Sequence, residues 1–409
     1  AYHVANSNWH SIHHPITSDM ISTGLNIPEL ETNDDVYYNR TKKETSTQGL
    51  RDFHNLFVKL NLIQGVSNRG DTLIDYAVGM AGDLPKWIRS NLKFVFGVDI
   101  SKDNIMNQLS GACARYLKAQ KKHHKMPNAI FLHGDSGKNI RKGDAYYTEK
   151  DKQISKAIFG SGAKDPNVIG KGVYKNYGIG QNGFEISSCQ FAMHYFFENE
   201  QSLHSFLRNV SECTKVNGKF IGTCYDGKTV FNLLRNKKKE EGFAIFKKDK
   251  KIFELSKMYD QTGFPDDELS LGYGINVYQE TINKVFREYL VNFEYLIRIM
   301  EDYGFVLISD EEAKQMKLPN PTGLFRELYD AMETEIKIDP RKKSDYKDAL
   351  YMSPEEKRIS FMNRYFVFKK MRNVDAQKIE SLLKKQTKLS DDYEVPSENT
   401  DTPDFPGSP

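Results

Sequence analysis

The sequence predicts an α/β fold, a doubly wound parallel sheet with helices on both of its faces. Three observations predict it. Short apolar runs alternate with segments of helical periodicity through most of the chain. A turn of small residues follows the first apolar run. Acidic residues stand at the ends of three successive runs, where ligands bind on open sheets.

Five strands are predicted first, as compact apolar runs. They are TLIDYA (72–77), FVFGVDI (94–100), AIFLHGD (129–135), FEISSCQF (184–191) and GKFIGTCY (218–225), the last entered through an Asn-Gly turn. Helices are expected in LPKWIRSNL, from Lys102, and near 200–215. FVLIS (305–309) and RYFVFKK (364–370) predict a final antiparallel pair. The expected sheet has seven strands, six parallel and one antiparallel.

The predicted organisation is one domain over 49–370, with a lead-in before it and a tail after it. Residues 1–48 show no clean periodicity and read as an extended segment from a preceding domain. Residues 371–409 are predicted to be an acidic, disordered tail. Two insertions are expected, at about 136–183, a long structureless connection, and at about 235–280. Because the chain starts without Met or a signal-peptide core, we expect a segment of a longer polypeptide.

Composition excludes several classes of protein. No apolar run is long enough to span a membrane, and four cysteines without CxxC spacing predict neither a disulfide framework nor a zinc site. We therefore expect a reducing, cytoplasmic setting and no metal. The segment from Leu389 onward has six acidic residues and no Lys or Arg. The whole chain has a net charge of +3, so without this segment the net charge is +9. A basic body suits a phosphate-bearing partner, although such an excess is also common on ordinary surfaces.

The turn after the first strand, DYAVGMAGD, is typical of a nucleotide-type site. Small residues, among them Ala77 and Gly79, let the backbone approach a ligand at a helix N-terminus, and Asp75 opens the turn. About twenty residues on, Asp99 stands where a carboxylate accepts hydrogen bonds from ribose hydroxyls. Asp135 stands where one can accept from an adenine amino group. Each acid alone is more often a helix cap.

Two cofactors fit this geometry, and the residues favour one. A dinucleotide site needs G-x-G-x-x-G for a pyrophosphate, whereas this chain has G-x-A-G followed at once by Asp83. An acid there repels a phosphate but can receive the cationic end of S-adenosylmethionine. The sequence therefore predicts S-adenosylmethionine, with S-adenosylhomocysteine as product, and a dehydrogenase is disfavoured.

Strand four runs into SSCQFAMHYFFEN (187–199), and here the sequence resembles the mRNA cap guanine-N7 methyltransferases, whose segment is SCQF-x-x-HY. The resemblance includes GDLPKW (82–87), HGDS (133–136), IGT (221–223) and EYLV (288–291). It spans residues 38–370, and the insertions look most like the methyltransferase part of viral multifunctional capping enzymes. The implied fold is the Rossmann-like class I methyltransferase sheet, and the implied reaction is methyl transfer to N7 of the cap guanine.

The resemblance also implies the role of individual residues. Besides the acids and small residues of the turns, the implied cofactor-binding residues are Lys59, Gln190 and Tyr195. Cap guanine binding is implied for six residues: Asn55, Phe191, His194, Tyr195, Glu288 and Tyr365. No acid or base catalyst is expected, because guanine N7 carries a lone pair and no proton, so positioning suffices. As alternatives, the aromatic residues and His194 are core, and Glu288 lies on a solvated helix face.

The chain departs from the family in one place: Met80 stands where the family usually has Lys. That Lys pairs with the carboxylate of the cofactor, so Lys59 or another cation is a candidate replacement. The lysine clusters at 237–251 motivate a further hypothesis, that basic residues of the insertions guide the RNA 5′ end.

The implied partners are 5′-capped mRNA and triphosphatase and guanylyltransferase domains of the same polypeptide. A stimulatory subunit is known for some viral members, and the implied location is the cytoplasm or the virion. Two other functions stay open: methylation of another RNA or protein acceptor, and a non-catalytic cap- or RNA-binding module, for which Met80 is the main reason.

Overall fold

A computed structural model describes residues 46–382 of the chain. The expected lead-in therefore lies almost wholly outside the described residues, as does the expected tail beyond residue 382. The domain limits 49–370 stay a prediction.

Twelve strands are formed by the described residues. In chain order they are β1 (Thr72–Asp75), β2 (Phe94–Asp99), β3 (Asn128–His133), β4 (Phe184–Gln190), β5 (Thr214–Tyr225), β6 (Gly242–Lys247), β7 (Lys250–Lys257), β8 (Gly274–Gln279), β9 (Lys284–Tyr289), β10 (Phe305–Leu307), β11 (Thr322–Leu324) and β12 (Asn363–Lys370).

The main sheet has the order β3-β2-β1-β4-β5-β12-β10. Neighbours from β3 to β5 are parallel, whereas β12 is antiparallel to both β5 and β10. The short β11 pairs with the start of β12 and adds an eighth strand. The predicted seven strands, six parallel and one antiparallel, are confirmed.

Fifteen α-helices lie within residues 46–375. They are α1 (Gln48–Asp52), α2 (Lys59–Val66), α3 (Leu84–Arg89), α4 (Lys102–Met106), α5 (Ala112–Gln120), α6 (Glu149–Ile158), α7 (Pro166–Ile169), α8 (Lys171–Lys175), α9 (Glu200–Cys213), α10 (Gly227–Leu233), α11 (Phe293–Asp302), α12 (Asp310–Gln315), α13 (Phe325–Ile338), α14 (Lys343–Tyr346) and α15 (Pro354–Ser360). A π-helix joins α1 to α2 over Phe53–Val58. Four 3₁₀ turns span Met193–Glu198, Glu268–Ser270, Pro340–Lys342 and Lys347–Tyr351.

The main sheet is covered on both faces, because alternate residues of its strands enter different apolar clusters. In β12, Phe366 and Phe368 pack with residues of α6, α9 and α11. Tyr365 and Val367 pack with residues of the π-helix, α3 and α13. Two apolar faces on one sheet require helices on both sides, which is the doubly wound arrangement.

The second predicted insertion forms a sheet of its own. Strands β6-β7-β8-β9 pair antiparallel in that order, so the folded segment runs to residue 289 rather than ending near 280. One of its faces packs with α10 and the end of β5 in a third apolar cluster. This sheet brings β9 over the carboxyl end of β5.

Three expectations about local structure were wrong. Residues 136–183 are not structureless, since they contain α6, α7 and α8. Strand β5 begins at Thr214, and the Asn-Gly signal marks a bulge within it, where Asn217 has φ 66° and the pairing with β4 shifts register. Residues 376–382 are helical and held by an Arg208–Glu380 ion pair of 2.9 Å, so a disordered tail does not begin at 371.

The membrane expectation can be examined over residues 46–382. None of the helices there is long and apolar enough to cross a bilayer.

Candidate active site

The five parallel strands end at one edge of the sheet, and the chain order reverses between β1 and β4 at its centre. Such a reversal opens a crevice beyond the strand ends. Most residues singled out in the sequence follow β1, β2, β3 and β4, so the topology collects them at this crevice.

The turn after β1 has the conformation that a close ligand requires. Gly79 and Ala81 both have φ near +54°, a left-handed conformation that is costly for alanine. A Cβ atom added at Gly79 or Gly82 would meet nothing within 4 Å, so the turn borders open space. This backbone fits a ligand approaching the start of α3.

Asp99, the last residue of β2, braces that turn. Its carboxylate accepts hydrogen bonds from the Gly79 amide at 2.7 Å, the Ser101 amide at 3.0 Å and the Asn104 side chain at 2.9 Å. Burial raises its pKa, and these hydrogen bonds oppose that effect. Asp99 lies at the candidate site and also supports the start of α4, so its roles as a binding residue and as a helix cap are compatible.

Asp83 is the centre of a buried ion cluster. Its Oδ1 lies 2.8 Å from the Nζ atoms of both Lys59 and Lys86. Burial alone would raise the pKa of Asp83, but the two lysines hold it below its ordinary value. Lys86 is only 6% exposed and also donates to the side chain of Asn55 at 3.3 Å. The cluster ties α2 and α3 to the turn.

Asp75 lies beside this cluster and is neutral over most of the physiological range. Burial, together with the charge of Asp83, raises its pKa to about 8. Its Oδ1 accepts from the Ala77 amide at 3.1 Å. A cation entering the turn would ionise it.

Asp135 lies two residues beyond the end of β3, not within the strand as predicted. The Gly137 amide donates to its carboxylate at 2.8 Å, and its own amide donates to the carbonyl of Ala145 at 2.8 Å. Gly134 and Tyr146 form an antiparallel bridge beside it. The first insertion thus doubles back and fixes the position of Asp135.

Phe191, the residue after β4, sits in a strained conformation. Its φ is 55°, which is rare for a bulky residue, and the carbonyl and hydroxyl of Thr223 hold its amide at 2.8 and 3.1 Å. Its ring stacks on His54 with centroids 5.3 Å apart, and Phe325 packs edge-on against both. His54 projects from the π-helix, a form that recurs at functional sites.

His194 and Glu288 form a buried polar pair between β4 and the second sheet. They are 4% and 6% exposed, and His194 Nε2 lies 3.5 Å from Glu288 Oε2, longer than a normal hydrogen bond. Among the described residues, no hydrogen-bond partner reaches either His194 ring nitrogen or that Glu288 oxygen. Burial lowers the pKa of His194 to about 3 and raises that of Glu288 to about 8. The Tyr195 ring lies 4.3 Å from His194.

Three residues that the resemblance implied have their polar groups bonded within the protein. Tyr365 is fully buried, and its hydroxyl donates to the Asn320 carbonyl at 2.8 Å, so it is a core side chain as the alternative held. Gln190 bonds within the sheet, accepting from the Thr223 hydroxyl at 3.1 Å. Asn55 lies with Lys86, in the ion cluster around Asp83.

The alternative reading of Glu288 was wrong, because the residue is buried on strand β9 and not on a helix face. Sequence reasoning also missed two residues, Lys86 and His54. Lys86 stands within the quoted GDLPKW segment, three residues after Asp83, a spacing that places two side chains on one helix face. Nothing in the sequence indicated a π-helix at His54.

No cluster of three or more His, Cys, Asp and Glu side chains that could hold a metal ion occurs within residues 46–382. The polar side chains of the candidate site are acids, lysines and the His194–Glu288 pair. They form two clusters, the first around Asp83 and the second around Glu288.

The sequence profile of the mRNA (guanine-N(7))-methyltransferase domain matches residues 31–371. The chain belongs to this family. The resemblance found in the sequence is thereby confirmed, and the order of strands agrees with the fold it implied.

The names of three similar proteins agree with this family. The probable mRNA-capping enzyme of Acanthamoeba polyphaga mimivirus is 26% identical over 91% of this chain and 33% of that protein. The mRNA cap guanine-N(7) methyltransferase 1 of Arabidopsis thaliana is 26% identical over 67% of this chain and 65% of its own length. The Saccharomyces cerevisiae mRNA cap guanine-N(7) methyltransferase is 27% identical, with 66% and 54% covered. This chain spans less than two-thirds of each.

The buried Glu288 gives a first prediction, on stability. Its pKa is about 8 in the folded chain against an ordinary 4.5, so between these values the folded state keeps a proton that the unfolded state loses. Stability falls as pH rises through this window. Glu288→Gln removes the effect. Between about pH 5 and about pH 9, the unfolding free energy of the variant should therefore rise relative to that of the parent by on the order of 4 kcal/mol. Urea unfolding at each pH measures it.

Glu185→Gln is the control for this measurement. Hydrogen bonds from Lys215 and Thr72 lower the pKa of Glu185 despite its partial burial, so its replacement should destabilise instead. A Glu288→Gln difference that does not change with pH would contradict the assignment.

Proposed function

We propose that the chain transfers a methyl group from S-adenosylmethionine to N7 of the guanine that caps mRNA. The observation that carries the proposal is the buried His194–Glu288 pair, three of whose polar atoms have no hydrogen-bond partner among the described residues. Membership of the family supports the same reaction.

The residues of the first cluster fit the methyl donor, which supplies an electrophilic methyl group when bound. Its amino-acid end carries an ammonium and a carboxylate. Asp75 and Asp83 can receive the ammonium, and Lys59 and Lys86 can receive the carboxylate. Asp99 is the candidate for the ribose hydroxyls and Asp135 for the adenine.

The residues of the second cluster fit guanine. Its N1–H and N2 amino group are donors on one edge, and the Glu288 carboxylate offers two acceptor oxygens. Phe191 offers an aromatic face for stacking. His194 is neutral, so one ring nitrogen can accept and the other donate. Burial makes each of these contacts stronger than it would be in water.

Rate enhancement then comes from position and charge. N7 attacks with its lone pair, so no residue needs to remove a proton, and the crevice has only to align the two reactants. The purine gains positive charge during transfer. An ionised Glu288 stabilises that charge, and the low-dielectric surroundings increase the effect.

The non-catalytic alternative rested on Met80, and the ion cluster weakens it. Two lysines already stand at Asp83, so the site has the positive charge that Met80 does not supply. The other methyltransferase alternative is disfavoured by Glu288, a matching group for guanine in particular.

We also propose the expected partners. The mimivirus relative is named a probable mRNA-capping enzyme, and the match covers 33% of it. This supports triphosphatase and guanylyltransferase domains on the same polypeptide. The stimulatory subunit, and the cytoplasmic or virion location, stay predictions.

The test of the function is methyl transfer from radiolabelled S-adenosylmethionine to GpppG-capped RNA, followed by digestion. Label in N7-methylguanosine supports the proposal. Label in another nucleoside, or no label from a protein that binds the donor, refutes it.

Cap binding should depend on pH through Glu288. Guanine needs the ionised carboxylate, and the pKa of the free group is about 8, so binding without donor should weaken by up to about tenfold for each pH unit below 8. Titration of GpppG between about pH 6 and pH 9 measures this. Glu288→Gln should bind weakly at every pH, while its affinity for S-adenosylhomocysteine should be unchanged. Wild-type binding independent of pH would contradict this role.

Donor binding should depend on Lys86. Lys86→Met keeps the length of the side chain but removes a charged hydrogen bond, so the Kd for S-adenosylhomocysteine should rise by about ten- to a hundredfold. Adding Met80→Lys should recover most of the loss, because it supplies a cation from the turn that precedes α3. The exposed Lys93→Met is the matched control. Unchanged affinity in Lys86→Met would show that Lys59 suffices.

A further inference from the structure

A groove of about 680 Å³ lies between α10, α13 and α15. Basic and aromatic side chains are prominent in its lining. They are Arg326, Tyr329, Lys357, Arg358 and Phe361.

The groove adjoins the residues that contact Phe191 through His54. His54, stacked on Phe191, bonds Ser360 at 2.8 Å and packs against Phe325 at 5.0 Å between ring centroids. Ser360 precedes Phe361 and Phe325 precedes Arg326 in the chain. The groove therefore lies next to the residues that pack around His54 and Phe191.

The cations of the groove are placed by aromatic rings instead of carboxylates. Arg326 lies 4.9 Å from the centroid of Phe361, and Lys357 lies 4.4 Å from that of Tyr329. Arg358 lies 5.1 Å from the Phe243 ring. Within residues 46–382, none of these three cations makes an ion pair with a carboxylate. They are available to an anionic ligand.

The lysine clusters at 237–251 differ in this respect. Lys239 pairs with Asp260 at 2.9 Å, Lys247 with Glu356 at 3.0 Å and Lys251 with Glu254 at 2.6 Å; Lys250 pairs with Glu280. Four of the seven lysines in this range are thus paired with a carboxylate. The groove is thus the better candidate for holding a phosphate chain.

Charge along the groove also has a direction. Arg326 lies in the first turn of α13, just after β11, and Lys357 and Arg358 lie in the last turn of α15, just before β12. The cations are therefore at the end of the groove that is next to the main sheet. Asp330 and Glu333 lie further along α13. An anionic ligand is therefore favoured close to the guanine site and disfavoured beyond.

We propose that this groove binds the sugar–phosphate backbone of the first transcribed nucleotides of capped RNA. Unpaired cations can contact the phosphates, and arginine–aromatic surfaces are the kind on which unpaired bases stack. The inference rests on the proposed function, because it takes the guanine to lie between Phe191 and Glu288.

The experiment compares two acceptors, the GpppG dinucleotide and a capped RNA of about ten nucleotides, in the double variant Arg326→Ala/Arg358→Ala. The KM for capped RNA should rise by about tenfold, since each lost phosphate contact contributes to binding. The KM for GpppG should stay within about twofold of wild type, because this acceptor has no phosphate beyond the first transcribed nucleoside. The slope of log KM for RNA against log salt should fall by about 1.4, at roughly 0.7 for each charge removed. Lys337→Ala, in the last turn of α13 and outside the groove, is the matched control.

An unchanged KM for capped RNA overturns the proposal, and so does an equal rise for both acceptors. Fluorescence anisotropy with the same capped RNA, labelled at its 3′ end, measures the contribution of the groove without turnover. A wild-type chain that transfers no methyl group refutes the proposed function. If its RNA affinity still falls in the double variant, the groove has been identified independently; an unchanged affinity overturns the groove as well.

Discussion

The reversal of strand order at β1 is the constraint on which the site depends. Strands β2 and β3 lie on one side of β1, and β4 and β5 lie on the other, so the segments that follow them diverge and leave a crevice. Side chains far apart in sequence, such as Asp99 after β2 and Phe191 after β4, reach that crevice because parallel strands end together. The second sheet then covers it through β9, and this cover makes the polar groups below it costly to bury.

Burial shifts the pKa values of several acids in the crevice away from their ordinary range. Asp75 and Glu288 have pKa values raised to about 8 by burial, while Asp83 stays ionised because two lysines contact it. Phe191 keeps a left-handed backbone at a cost of about 1–3 kcal/mol. Groups with strongly shifted pKa values cluster at functional sites, because burial and neighbouring charges there adjust the groups to their task.

Much of the fold could be predicted from the sequence because apolar runs need no tertiary information. Strands β1 to β5, β10 and β12 were found within a few residues, and so was the acid at the end of β2. Contacts between distant segments could not be predicted. The hydroxyl of the buried Tyr365 donates to the carbonyl of Asn320, 45 residues away, and Glu288 is brought to His194 by the second sheet. Glycine and lysine content also misled at 136–183, where three helices pack against the body.

Lys86 shows that the position of a charge in the folded site matters more than its place in a sequence motif. The family usually has its cation at the position of Met80, within the turn. Lys86 belongs to the GDLPKW segment in which the chain resembles the family, and it follows Asp83 by three residues on α3. It reaches the same carboxylate as Lys59 because one helical turn returns it to that face. A carboxylate flanked by two lysines places positive charge at the donor site from a different element of structure. Met80 can then be buried as an apolar residue without removing the positive charge of the site, and the departure in the motif need not mean a disabled enzyme.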